Sequence, residues 1–256
     1  MELQKLEVLL PHNIRVTIRE TNGEDDDIIS KVKDNKDNTA VCKFLSSIIV
    51  SEVLTPEDIM LWPIASKYYL LLKSRIHSLG NILKFKYEFK EENSEELKSF
   101  DFEEDLNKYD ADLETLLKLS PEELSKEAAK LSSIQIRPYK YGPVLLHEKK
   151  LSSGKVIRLQ LLDTHGEKAS MGKSGDEMTI NDKLRFRHLE VKLEEGWAKV
   201  QNFKAFSSRD MQEIRQFAEE IEVRFDMPMG IENPITKEYN LVPLISLPDF
   251  FFPVAI

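Results

Sequence analysis

Met171-Gly172-Lys173-Ser174 comes closest to a cofactor motif in this chain. A phosphate-binding loop needs a glycine, four further residues, then Gly-Lys-Ser, so that backbone N–H groups cradle phosphates and the lysine reaches their oxygens. The position that must be glycine is Glu167, and Gly166 misses by one residue. Gly175-Asp176-Glu177 follows where an apolar helix should begin, and its carboxylates would repel phosphate. The stretch reads as a polar loop over Glu167 to Glu177. His12, His77, His147, His165 and His188 are scattered, with no pair at zinc-helix spacing, and there is no Gly-x-Ser-x-Gly turn for a nucleophile. His77, beside Arg75 near a helix end, suits capping or packing, and Arg75 suits bonding to carbonyls there. Cys42 is the single cysteine, which excludes a disulfide framework and any thiolate-rich metal site. It lies on an apolar helix face and reads as a small buried hydrophobe. Carboxylates are abundant, and abundance makes their pairing uninformative. No catalytic residue, cofactor or metal site is expected, and the chain reads as a non-enzyme.

The elements that would position any site alternate between strands and helices. Leu6, Val8 and Leu10, then Ile14, Val16 and Ile18, alternate on either side of a Pro11-His12-Asn13 turn, the pattern of a hairpin. An acidic loop is expected at Gly23 to Asp27. Val41, Phe44, Leu45, Ile48 and Ile49 predict a helix over 39–53. Thr55-Pro56-Glu57-Asp58 opens a helix that Pro63 interrupts. The next helix runs from Ile64 to Leu79 and stops at Gly80. Strands follow over 84–89 and 97–102. Ser120 and Glu123 have capping-box spacing and open a helical connector. Val144 to Leu151 and Lys155 to Leu162 flank Ser152-Ser153-Gly154, a second hairpin. Leu184 to Leu193 fits either a bulged strand or a short amphipathic helix. Ser207 or Ser208 caps a helix carrying Met211, Ile214, Phe217, Ala218 and Ile221, and a last hairpin over 223–244 turns at Asn233-Pro234.

The two halves therefore repeat one pattern: hairpin, polar loop, helix, second hairpin. Leu10 to Glu24 aligns with Leu151 to Glu167 if two residues are inserted, and Ser66 to Phe102 matches Ser208 to Leu244 in pattern. The expected fold is α+β, with two similar lobes over 1–115 and 136–245 joined by a helical connector over 116–135. An apolar tail, 246–256, closes the chain. In it Pro248 and Pro253 bracket Phe250, Phe251 and Phe252. Such a segment is a poor helix or central strand, and three exposed phenylalanines would form a costly patch. Phe250, Phe251, Phe252 and Pro253 are the candidate partner-binding anchor, with closure of the chain's own core as the competing role. On the anchor reading, truncation after Leu247 leaves a folded protein that no longer finds its partner.

Composition limits the partners. The chain has 256 residues, 41% apolar and 32% charged, with a net charge of −9. That balance fits a well-solvated protein and counts against a dedicated nucleic-acid binder. No apolar run approaches a membrane span, and MELQKLEVLL lacks a signal-peptide core, so a cytosolic origin is expected. Nine carboxylates face two lysines between Glu88 and Asp105. Arg137, Lys140, Lys149, Lys150, Lys155 and Arg158 form one basic cluster, and Lys183, Arg185, Arg187, His188 and Lys192 another. The first basic cluster reads as an outward hairpin face complementing the acidic first half; a nucleic-acid surface over 137–158 is the alternative. Charge asymmetry of this kind favours oriented assembly with copies or partners.

A family resemblance rests on these same residues. The first half runs LPHNIRVTIRETNGEDDDII, an apolar helix, then YYLLLKSRIHSLGNILKFKYEF. This resembles the T-even-type phage baseplate protein family, which serves in baseplate hub assembly of contractile tails. The match is carried by Gly23-Glu24-Asp25, by Leu70-Leu71-Leu72 with Arg75-Ile76, Ser78 and Gly80, and by the strand after them. Leu151 to Glu167, Leu184 to Leu189 and the Phe-Phe-Phe-Pro terminus add to it. Some relatives carry cysteine pairs in the hairpins after the helices; here those hairpins have none, so no zinc role is implied. The resemblance implies a non-enzymatic protein, with other phage baseplate or tail proteins as partners. Its place would be the virion tail baseplate, or the host cytoplasm during assembly if it acts as a transient chaperone.

Overall fold

The computed structural model describes residues 3–30, 39–90, 97–110, 112–116, 118–119, 123, 126, 146–171, 181–222, 225, 228–244 and 250–251. The fold is α+β, built of small antiparallel sheets packed on helices. Strands β1 (Lys5–Leu9) and β2 (Arg15–Arg19) form the first hairpin. Its period-2 alternation buries Val8, Val16 and Ile18. Asn13 sits at φ 62°, a conformation asparagine tolerates, and closes the turn through its N–H to the Leu10 carbonyl at 2.8 Å.

The acidic stretch expected as a loop is instead helix α1 (Gly23–Ile29). Asn22 caps it reciprocally: its side chain accepts from the N–H groups of Glu24 and Asp25, and Asp25 accepts from the Asn22 N–H at 2.8 Å. Carboxylates in a first turn also complement the helix dipole. Helix α2 (Thr39–Ile48) stops short of the predicted 53. Helix α3 (Pro56–Met60) has the expected Thr55 cap with Asp58 as its box partner. Helix α4 (Ile64–Leu79) ends at Gly80, whose φ of 83° a side chain would strain. Strands β3 (Ile82–Lys90) and β4 (Leu97–Asp105) follow, then a 3-10 turn (Leu106–Tyr109) and α5 (Leu113–Leu116). The connector expected over 116–135 lies largely outside the described residues, as does the loop after Met171 that holds Gly172-Lys173-Ser174.

The second half starts with β5 (Leu146–Lys150) and β6 (Val156–Gln160). Helix α6 (Thr164–Met171) takes the start of the predicted polar loop. The ambiguous stretch resolves into both alternatives in turn: helix α7 (Asp182–Arg185), then strand β7 (Glu190–Leu193). Strand β8 (Gly196–Lys199) completes a four-stranded sheet in the order β5-β6-β7-β8. Ser207 caps α8 (Ser208–Ile221) with Asp210 as its box partner. Strands β9 (Pro228–Glu232) and β10 (Tyr239–Pro243) end the pattern.

Over the first hairpin and cap of each half the repeat is closer than the sequence alignment proposes, and there it needs no insertion. Leu151 N–H bonds the Lys155 carbonyl and Gly154 N–H bonds the Leu151 carbonyl, just as Leu10 and Asn13 do in the first hairpin. That equates Leu10 with Leu151, Val16 with Ile157 and Ile18 with Leu159, all buried, at a constant offset. Continuing it equates the cap Asn22 with Asp163, whose carboxylate accepts from the Gly166 N–H at 2.9 Å. The later hairpins agree as well. Lys90 pairs with Leu97 and Glu232 pairs with Tyr239, so both close over loops of equal length. The two halves share one continuous core rather than each enclosing its own.

Gly166 marks a close backbone approach within the second half. A Cβ there would land on the Phe186 carbonyl oxygen and within 2.8 Å of Leu162 Cδ1. A backbone carbonyl cannot rotate away, so overpacking is unrelieved. Gly166→Ala is expected to cost about 2 kcal/mol, read as a lower urea midpoint with an unchanged slope.

Candidate functional site

Of the phenylalanine tail the structure describes Phe250 and Phe251. Phe250 is fully buried in the chain's own core and packs edge-on against Phe251 at 4.8 Å between ring centroids. Phe251 in turn packs against Phe44 of α2 at 5.5 Å. Phe252 and Pro253 lie outside the described residues. Arg75 fixes the chain at Phe250. Buried on α4, it donates from Nε to the Phe250 carbonyl and from Nη1 to the Gly80 carbonyl, both at 2.6 Å, and from Nη2 to the Ile82 carbonyl at 3.3 Å. Burial weakens its hold on the proton, yet three backbone oxygens converge on the guanidinium. The expected helix-end role is present, with the tail added to it.

A second polar group joins the halves. Lys67 of α4 is 2% exposed and donates to the Thr164 hydroxyl of α6, which lies 3.9 Å from Cys42 Sγ. Burial draws the ammonium down from its ordinary range, opposed by the more distant charges of Glu167 and Asp163. Tyr68 donates to Glu167 at 2.8 Å, and the Ile64 N–H bonds the Leu162 carbonyl. The cysteine is buried, as its apolar helix face implied. His12 is also fully buried: its Nδ1 and Ser66 Oγ are hydrogen-bonded at 2.7 Å and its ring tilts against Trp62 at 5.5 Å. Its Nε2 meets no partner among the described residues. These groups act as internal fasteners between elements.

Among the described residues the basic hairpin makes its ion pairs within the second half: Lys155 pairs with Asp210 at 2.9 Å, Lys149 with Glu220 at 3.7 Å, and Arg158 with Glu190. Lys149 also lies over the Phe217 ring and Arg158 over Trp197. In the second basic cluster Arg187 pairs with Glu222. Arg137 and Lys140 lie outside the described residues. An open cleft of about 410 Å³ runs beside β1 and α5. Its cations are already engaged, Arg15 by Glu7 and Glu114, Lys73 by Asp110.

What the surface offers instead is apolar and sits on the last hairpin. Tyr239 is 70% and Leu241 75% exposed on the outer face of β10, while Val242 and Leu244 turn inward. Opposite Leu241 stands Gly230, and the Tyr239 ring lies over it, with Cδ1 3.7 Å from where a Cβ would sit. Sequence alternation marks this stretch as the returning strand of the last hairpin, without saying which residues face outward. Glu232 accepts from the Tyr239 hydroxyl at 3.1 Å and fixes its ring. Among the described residues no helix is long and apolar enough to cross a membrane. Comparison with protein-family models, with curated proteins and with solved structures finds no match.

Proposed function

We propose that this chain is a non-enzymatic component or assembly factor of a phage contractile-tail baseplate, in the hub region, working through protein–protein contacts. The sequence resemblance supplies the setting. The observation that carries the contact chemistry is the outward pair Tyr239 and Leu241, large apolar side chains held in solvent on a rigid hairpin. A tyrosine with its hydroxyl held beside a leucine over a glycine floor suits the buried centre of an interface, where a few such residues dominate affinity. The interior ionisable groups, His12, Lys67 and Arg75, serve packing between elements.

The test is affinity capture of tagged protein from phage-infected cells, with the bound proteins identified by mass spectrometry. Tail or baseplate proteins are expected among them, and their absence overturns the reading. Leu241→Asp combined with Tyr239→Ser is expected to weaken that capture roughly 30-fold while leaving the melting temperature nearly unchanged, because both side chains face solvent. Mass spectrometry of purified particles then separates a resident subunit from a chaperone that leaves.

A further inference from the structure

We infer that the β3–β4 hairpin joins copies of this chain head to tail, β4 of one copy pairing antiparallel with β3 of the next. The inference stands apart from the baseplate reading and uses a different surface.

The hairpin has nine residues in each strand and, among the described residues, no third strand on either side. Long open edges are templates for strand addition. The Leu106 N–H bonds the Asn81 carbonyl, which sets the phase of the ladder. By antiparallel alternation, the backbone groups of Lys84, Lys86 and Glu88 then point away from β4, and those of Ser99, Asp101 and Glu103 away from β3. Arg75 occupies the first outward carbonyl of β3, that of Ile82, and so marks where an added strand must stop.

Charge selects the pairing. On the outer face β3 presents Lys84, Lys86, Glu88 and Lys90, and β4 presents Ser99, Asp101, Glu103 and Asp105. Within the hairpin Lys84 faces Glu103 and Lys86 faces Asp101, each at 3.9 Å and each more than half exposed. Pairing β3 with β3 about Lys86 sets ammonium against ammonium at the centre, and pairing β4 with β4 about Asp101 sets carboxylate against carboxylate there, whereas β4 against β3 in the hairpin's own register sets Lys84 against Glu103, Lys86 against Asp101 and Glu88 against Ser99; like charges directly opposite destabilise. Pairing β4 with a neighbour's β3 continues the alternation. It also covers Phe100 and Phe102, which lie half-buried on the inner side of the β4 edge beside the buried Phe85 and Phe89. Two unlike edges make a head-to-tail contact, which closes into a ring or extends as a filament. The β9–β10 hairpin differs: Pro228 and Pro243, paired at its base, lack the N–H that edge addition needs.

The experiment is sedimentation velocity of the purified full chain over a concentration series, with circular dichroism to check folding. The wild type is expected to form species that grow with concentration. K84E/K86E makes both edges acidic and D101K/E103K makes both basic, so each alone is expected to weaken association at least about tenfold. Mixing the two variants in equal amounts restores it. The combined variant K84E/K86E/D101K/E103K keeps the ladder inside the hairpin with reversed polarity. It associates with itself but not with wild type. A wild type that stays monomeric, a dimer that stops growing, or association that these exchanges leave unchanged would each overturn the inference. None of these outcomes bears on capture of tail proteins through Tyr239 and Leu241.

Discussion

Phe250→Ala is expected to lower stability by about 4 kcal/mol, and truncation after Leu247 by more, enough to unfold a protein of ordinary stability. The side chain is fully buried, so its loss opens a cavity among Phe251, Phe44 and their neighbours. Truncation adds a second loss. The Arg75 guanidinium would remain buried without the Phe250 carbonyl that its Nε now meets, and a buried charge stripped of an acceptor is costly. Urea unfolding of the two variants, against Val53→Ala as a control on a 99% exposed side chain, measures both effects. A truncated chain with an unchanged midpoint would return the tail to the role of an anchor for a partner.

Stability is expected to fall by roughly 3 kcal/mol on acidification from pH 6.5 to 4, through His12 alone. Burial against Trp62 and Ser66 lowers its pKa from 6.5 to about 4. In that interval the unfolded chain takes up a proton that the folded chain refuses, so stability is fully present above 6.5 and drains as pH falls towards 4. His12→Gln is expected to flatten this slope. Carboxylate losses come at lower pH. Burial pushes Asp25 up, but bonds from Arg19, Ser47 and the Asn22 N–H outweigh it and hold it below its usual range. Bonds from Ser153 and Lys155 do the same for Asp210. Their stabilisation is present above 3.8 and is lost only as pH falls below that value. Melting temperature against pH, wild type beside His12→Gln, separates the two windows. A wild type with no slope between 6.5 and 4 would show that His12 protonates as easily folded as unfolded.

Much of the architecture was legible because alternation and capping are local. The β1–β2 hairpin, the Thr55 cap, the Gly80 stop and the Ser207 cap all follow from neighbouring residues. Helix α1 was legible too, since Asn22 and Asp25 have cap spacing, but five polar residues in a row look like a loop when charge is weighed before capping. Aligning Leu10 to Glu24 with Leu151 to Glu167 equates Gly23-Glu24 with Gly166-Glu167 and needs two inserted residues, whereas the equivalent features are backbone turns at Asn13 and Gly154. The contact of Lys67 with Thr164 and that of Arg75 with Phe250 were beyond reach. A helix pattern says which face a lysine or arginine occupies, not that another segment from far along the chain will cover it. The same non-locality hid the burial of Phe250.

The shared core has a consequence for ancestry. A forebear of one half alone would have had raw apolar flanks, since the surfaces around Leu72 and Ile214 belong to a single interior. Such a polypeptide could persist only by coupling to its twin. Fusing the twins into one gene would have released each from mirroring the other, so that one copy could acquire a guanidinium at Arg75 where its counterpart kept the ring of Phe217.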